Sequence, residues 1–248
     1  MITTLTRLTA AAALLGLASV ANVASASSYK EIEVINGGSI TGSVSAGDAE
    51  PETKTYVVSK DIEICGEAKR EVEFVKINNG MLMNAVVFLE KVKEGKPFAT
   101  DMASLTLDQK KCEFSPFLGV IENKGELTAI NSDNTLHNIH TYELIGKARR
   151  TLMNVSQPNM GDEVTKEVKL RKGNGMKVEC DAHDFMHSFV FVARSPYYSV
   201  VDDNGGFSIT DIPPGEYKIK VWHGTLGEVK GGKVTVDAGG AVTLDLSY

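Results

Sequence analysis

The stretch Cys180-Asp181-Ala182-His183-Asp184-Phe185-Met186 constrains this chain more than any other. It sets a thiol, an imidazole and a thioether at the spacing C-x-x-H-x-x-M. The residues that follow, Ser188 to Ala193 (SFVFVA), alternate and are rich in Phe and Val, which predicts a strand. The three donors therefore sit on a tight loop that feeds a strand. The rest of the chain has to hold that loop, aim it and supply any donor it lacks.

A soft thiolate with an imidazole and a thioether is a donor set suited to copper. A further donor is available upstream, in LTAINSDNTLHNIHTYE. There the alternating run Leu127 to Ile130 ends in a polar turn, Asn131 to Asn134, and His137 and His140 open a second alternating run. On a strand, residues three apart point to opposite faces, so His137 and His140 do not share one. His140 is read as structural, with an extra ligand as the alternative.

The motifs N-S-D-x-x-x-H-N (Asn131 to Asn138) and C-D-x-H-x-x-M (Cys180 to Met186), with the alternating run Met176 to Cys180 leading into the second, resemble those of plastocyanin-like cupredoxins. The resemblance implies a Greek-key β-sandwich with one mononuclear copper held by His137, Cys180, His183 and Met186. It also implies that Asn131 or Asn138 ties the two ligand-bearing segments. The spacing from His183 to Met186 is shorter than in plastocyanins.

With Cys180 in that loop, Cys65 and Cys112 are free to pair. Neither has a His nearby in sequence, which points to a disulfide. The alternative is three buried thiols. Export favours the disulfide, and the N-terminus has the marks of an export leader: Arg7 as its lone charge, an apolar run from Ala10 to Val20, and Ala24-Ser25-Ala26 as a small-residue cleavage site. Residues 1–26 are expected to be a signal peptide and the mature chain periplasmic or secreted, without a membrane anchor. The chain has 26 Lys and Arg against 32 Asp and Glu, net −6, and the leader contains only Arg7 of these. No basic patch stands out, which argues against nucleic acid as a partner.

Short alternating segments broken by turns fill the rest and predict an all-β chain. Gly38 to Val44 alternates strictly, and Asn84-Ala85-Val86-Val87-Phe88-Leu89 is a buried strand. Lys147 to Asn159 is polar, contains Pro158, and is read as a loop over the site. Asp203-Asn204-Gly205-Gly206 is a hairpin turn. The string DDNGGFSITDIPPGEYKIKVWH, Asp202 to His223, resembles the carboxypeptidase regulatory-like (transthyretin-like) sandwich, and the opening G-x-I-x-G-x-V of that family stands at Gly38 to Val44. The resemblance implies a discontinuous second sandwich, residues 28–97 with 197–248, around a cupredoxin domain at 98–196. Two unrelated tandem domains are the alternative.

Asp202-Asp203-Asn204-Gly205 lacks the later bidentate Glu of a calcium loop, and Lys230-Gly231-Gly232-Lys233 lacks the Ser or Thr of a phosphate loop. His187 is read as pointing to solvent and His223 as an interface residue. No paired carboxylates or Ser-His-Asp order stand out, so an enzyme is not expected. The expected function is one-electron transfer to a redox partner protein whose identity the sequence leaves open. A copper carrier or sequestering protein and a non-catalytic surface interaction module are the alternatives. The single Met81-x-Met83 pair, without Met-rich clusters, favours electron transfer over copper carriage.

Overall fold

The computed structural model describes residues 29–66 and 68–248. The leader expected at 1–26 lies outside them. Strands make up more than half of the described residues, and helix is confined to two single turns. After a two-residue strand at Lys30–Glu31, the longer elements are β1 (Gly38–Ser45), β2 (Glu52–Val57), a one-turn helix α1 (Ile62–Cys65), β3 (Lys69–Val75) and β4 (Ala85–Glu90). The middle comprises β5 (Ser104–Gln109), β6 (Leu118–Glu122), β7 (Glu126–Asn131), β8 (His137–Ile145), β9 (Ala148–Gln157), β10 (Glu163–Glu167), β11 (Gly175–Glu179) and β12 (His187–Ala193). The last strands of length are β13 (Tyr198–Val200), β14 (Gly206–Ile212), β15 (Gly215–His223) and β16 (Gly227–Val236).

Strands from both ends of the chain pair with each other. One sheet runs β13-β4-β15-β16. In a second, β1 pairs with β14 and also takes Ala241–Thr243 and Leu246–Ser247 alongside it. Ile40, Val44, Val87, Ile209, Ile219 and Val221 fill the space between these sheets. The middle strands make a sheet in the order β6-β12-β11-β8-β9 and another containing β5-β7-β10. Leu107, Ile121, Leu127, Ile139, Val178, Val190 and Val192 lie between them.

A third cluster joins the two sheet pairs and explains the unbroken apolar runs. β4 is buried on both faces: Val87 and Leu89 enter the core beside β1, while Val86 and Phe88 face the other way. β12 does the same, with Val190 and Val192 inward and Phe189 and Phe191 outward. A strand covered on both sides loses the alternation that one wet face imposes. Phe191 meets Phe88 at a ring separation of 5.1 Å and Trp222 at 5.6 Å. Two glycines permit this contact. A Cβ on Gly175 would lie 2.3 Å from the Trp222 ring, and one on Gly224 2.3 Å from the Phe189 ring.

The segment 52–75 leaves both sheet pairs. β2 and β3 form a separate two-stranded hairpin with α1 between them. An isolated hairpin of this size is marginal in water, and this arm is held by packing and a covalent link. Val58 and Cys65 are buried in the core beneath the Cys180 loop, and Cys65 is bonded to Cys112. Closing 47 residues of chain restricts the unfolded state by about 4 kcal/mol in the chain-entropy picture. Arg70 adds bonds to the carbonyls of Cys65, Lys111 and Cys112.

Two local expectations fail. Ala148–Gln157 is the edge strand β9, paired along β8, and not a loop. Its outer face is wet, which suits its polar residues, and Pro158 falls just beyond its end, where no ladder bond is needed. His187 does not point to solvent. Its side chain is 8% exposed, in contact with Tyr56 and Phe74 of the arm.

Candidate metal centre

Two segments bring the donors together. β7 ends in an Asx turn, where the Asn131 Oδ1 accepts the Asp133 N–H at 2.9 Å. The Asn131 Nδ2 donates to the carbonyls of Thr135 (2.8 Å) and Gln157 (2.9 Å), which fixes the turn and sets His137 at the start of β8. The second segment is the loop between β11 and β12, whose reversal is closed by the Met186 N–H on the His183 carbonyl at 3.0 Å. Asn138 ties the two. Its Oδ1 accepts the N–H of Asp181 at 2.6 Å and that of Ala182 at 3.3 Å, and lies 3.4 Å from the Cys180 Sγ.

His137 Nδ1 and His183 Nδ1 are 3.2 Å apart, and Cys180 Sγ lies 4.0 Å from the first and 3.9 Å from the second. A point equidistant from these three atoms lies about 2.2 Å from each, within the ~2.0–2.3 Å span of metal–imidazole and metal–thiolate bonds. All three side chains are buried.

Two carboxylates fix the rings. His137 Nε2 lies 2.9 Å from the Asp133 Oδ2, and His183 Nε2 lies 3.0 Å from the Asp61 Oδ2. A carboxylate accepts, so each Nε2 carries the proton and each Nδ1 turns a lone pair to the same point. Two facing lone pairs repel unless a cation lies between them. The donor set therefore fits a metal ion, and its nitrogen and thiol chemistry fits copper.

The titrations follow from the same contacts. The His183 bond holds the Asp61 carboxyl below its usual range. Burial pushes Asp133 up, but the N–H of Cys112, the His137 ring and the N–H of Lys111 outweigh it, and the carboxyl stays low. Burial lowers the His183 pKa against the pull of Asp61, keeping its ring neutral and able to ligate. Burial raises the Cys180 thiol, so metal binding there must displace a proton.

Met186 is buried in the same apolar cluster as Cys180 and Phe185. His140 is not brought to the cluster. Its Nδ1 lies 2.9 Å from the Asp181 Oδ1, and its ring stacks on Tyr142 at 4.1 Å. His223 lies at the end of β15, buried, its Nδ1 accepting the N–H groups of Thr225 and Leu226. The absence of a His beside Cys65 and Cys112 in sequence does not hold in space. Both sulfurs lie within 4.8 Å of each other and of a His183 ring nitrogen. Asp61 and Asp133, which contact the two imidazoles, are not among the residues the sequence singles out. Asp133 stands within the N-S-D turn and was open to discovery there, whereas nothing around Asp61 marks it.

No family profile and no curated protein matches the chain. Among solved structures, a purple cupredoxin from Nitrosopumilus maritimus is 20% identical, over 36% of this chain and 98% of that one, with a TM-score of 0.30. Amicyanin from Paracoccus versutus is 14% identical, over 43% of this chain and 97% of that one, with a TM-score of 0.31. A Cu-containing nitrite reductase from Thermus scotoductus is 13% identical, over 42% of this chain and 24% of that one, with a TM-score of 0.30.

Proposed function

We propose that this chain holds one copper ion between His137, Cys180 and His183, with Met186 as a weaker fourth ligand, and serves in one-electron transfer outside the cytoplasm. The observation that carries this reading is the common point about 2.2 Å from two imidazole Nδ1 atoms and one thiol sulfur. Copper bound there supplies a couple between two states, one favouring nitrogen and the other sulfur. The protein supplies rigidity. Asp133 and Asp61 hold the rings, Asn138 ties the Cys180 loop to β8, and buried strands on both sides leave the donors little room to move.

The same reading divides the chain into a cupredoxin domain at 98–196 and a sandwich of 28–97 with 197–248, with the arm 52–75 as the part of the latter that reaches the metal. It also makes residues 1–26 a leader and the destination periplasmic or extracellular, with a redox protein as partner.

One observation favours the second reading, a copper carrier or sequestering protein: His183 is 1% exposed and both its ring nitrogens are engaged, so no ligand edge faces solvent. Voltammetry of the copper-loaded protein separates the two. A reversible one-electron couple with rapid exchange supports electron transfer. A sluggish couple, with copper passed instead to a competing chelator, supports carriage.

A further inference from the structure

The disulfide is not remote from the metal centre. Cys65 Sγ, Cys112 Sγ and a His183 ring nitrogen lie within 4.8 Å of one another. Cys112 Sγ also lies within 4.8 Å of a carboxylate oxygen of Asp133 and a ring nitrogen of His137. The arm that carries Cys65 also carries Asp61, so one element delivers a sulfur and a carboxylate to the same imidazole. The Arg70 guanidinium donates to the carbonyls of Cys65 and Cys112, which places a cation beside both cysteines. Arg70, Phe114, Phe185 and Met186 line an open cleft between the arm and the Cys180 loop; both cysteines are buried outside its lining, so reduction requires local opening there.

We propose that Cys65, Cys112 and His183 form a second soft-metal site, closed while the disulfide is intact and opened to copper(I) when a dithiol reduces it. The exchange balances. The dithiol gives two electrons and two protons to the Cys65–Cys112 bond and leaves as its own disulfide, and the two protein thiols release their protons on binding the ion. Thiolates are the ligands copper(I) prefers, and the conditions that open the bond also keep copper in that state. Cys180 takes no part, but His183 is shared with the proposed electron-transfer centre, so the two sites are told apart by removing Cys180.

The Cys180→Ser protein isolates it. Copper(I) is titrated against a chromophoric chelator before and after treatment with dithiothreitol, with alkylation and mass analysis to count thiols and circular dichroism to follow the fold. Before reduction the variant should yield its copper(I) to the chelator. After reduction it should retain one equivalent, with a new thiolate-to-copper(I) band in the ultraviolet. Adding His183→Ala should weaken that retention at least tenfold. The proposal is overturned if the folded, reduced variant retains no copper(I), or if His183→Ala leaves retention unchanged. It is equally overturned if the disulfide resists dithiothreitol in the folded chain, or if reduction abolishes the β signal.

Discussion

Asp61 and Asp133 do similar work on the two imidazoles but differ in what else they hold. Asp61 meets His183 from the arm, in a left-handed backbone conformation at φ 52°. Asp133 also accepts the N–H groups of Lys111 and Cys112, each at 2.7 Å. Asp61→Asn should therefore weaken copper binding by roughly 10–100-fold, the usual range for a lost carboxylate behind a ligating imidazole, while thermal stability changes little. Asp133→Ala should weaken copper binding and also lower the melting temperature, because it strands two backbone donors. Chelator competition and calorimetry on both variants distinguish these outcomes. His140→Ala should leave copper in place, since its ring bonds Asp181 and not the donor cluster. Copper lost from His140→Ala protein would mean that the ring moves inward on loading.

The strands show what the sequence could and could not tell. The convergence of His137, Cys180 and His183 is legible because their residue types are chemically rare together and each lies at or beside a strand boundary. β9 was misread because an edge strand with one wet face carries the polar composition of a loop. Asp61 was invisible because its role depends on an arm folding back 122 residues along the chain to reach His183. Glu143 on β8 belongs to the same class of long-range effect. Its fully buried carboxylate accepts the N–H groups of Arg171, Lys172 and Gly173 and bonds Arg150. Burial pushes the group up, but the Lys172 N–H, Arg150 and the remaining donors outweigh this and bring it to about 2. A lowered folded pKa stabilises the fold above the unfolded value and is lost as pH falls through the folded one. Glu143→Gln should then cost on the order of 2–3 kcal/mol at neutral pH, and the difference from the parent should shrink between about pH 4 and pH 2. Urea melts across that range check the sign, and a cost that grows on acidification would contradict it.

At the scale of the molecule, two sheet pairs share the aromatic cluster of Phe88, Phe189, Phe191 and Trp222. Their joint burial predicts one cooperative unfolding transition. Trp222→Ala removes the largest ring at the junction and should cost about 3–5 kcal/mol, and it should split the calorimetric peak in two if it uncouples the halves. A single peak moved down without splitting would show that the halves remain one cooperative unit. The same junction connects to the donor cluster through β12, whose first residue, His187, touches the arm and whose Phe191 touches Trp222. The donors are thus anchored to a body of buried strands, the rigidity that the proposed redox role would require.

The most direct measurement is the visible and electron paramagnetic resonance spectrum of the copper-loaded protein, beside that of Cys180→Ser. The predicted result is one Cu(II) per chain with an intense thiolate-to-copper band, and loss of that band in the variant. A colourless protein that binds only Cu(I), or a site that zinc fills more tightly than copper in competition, would contradict it.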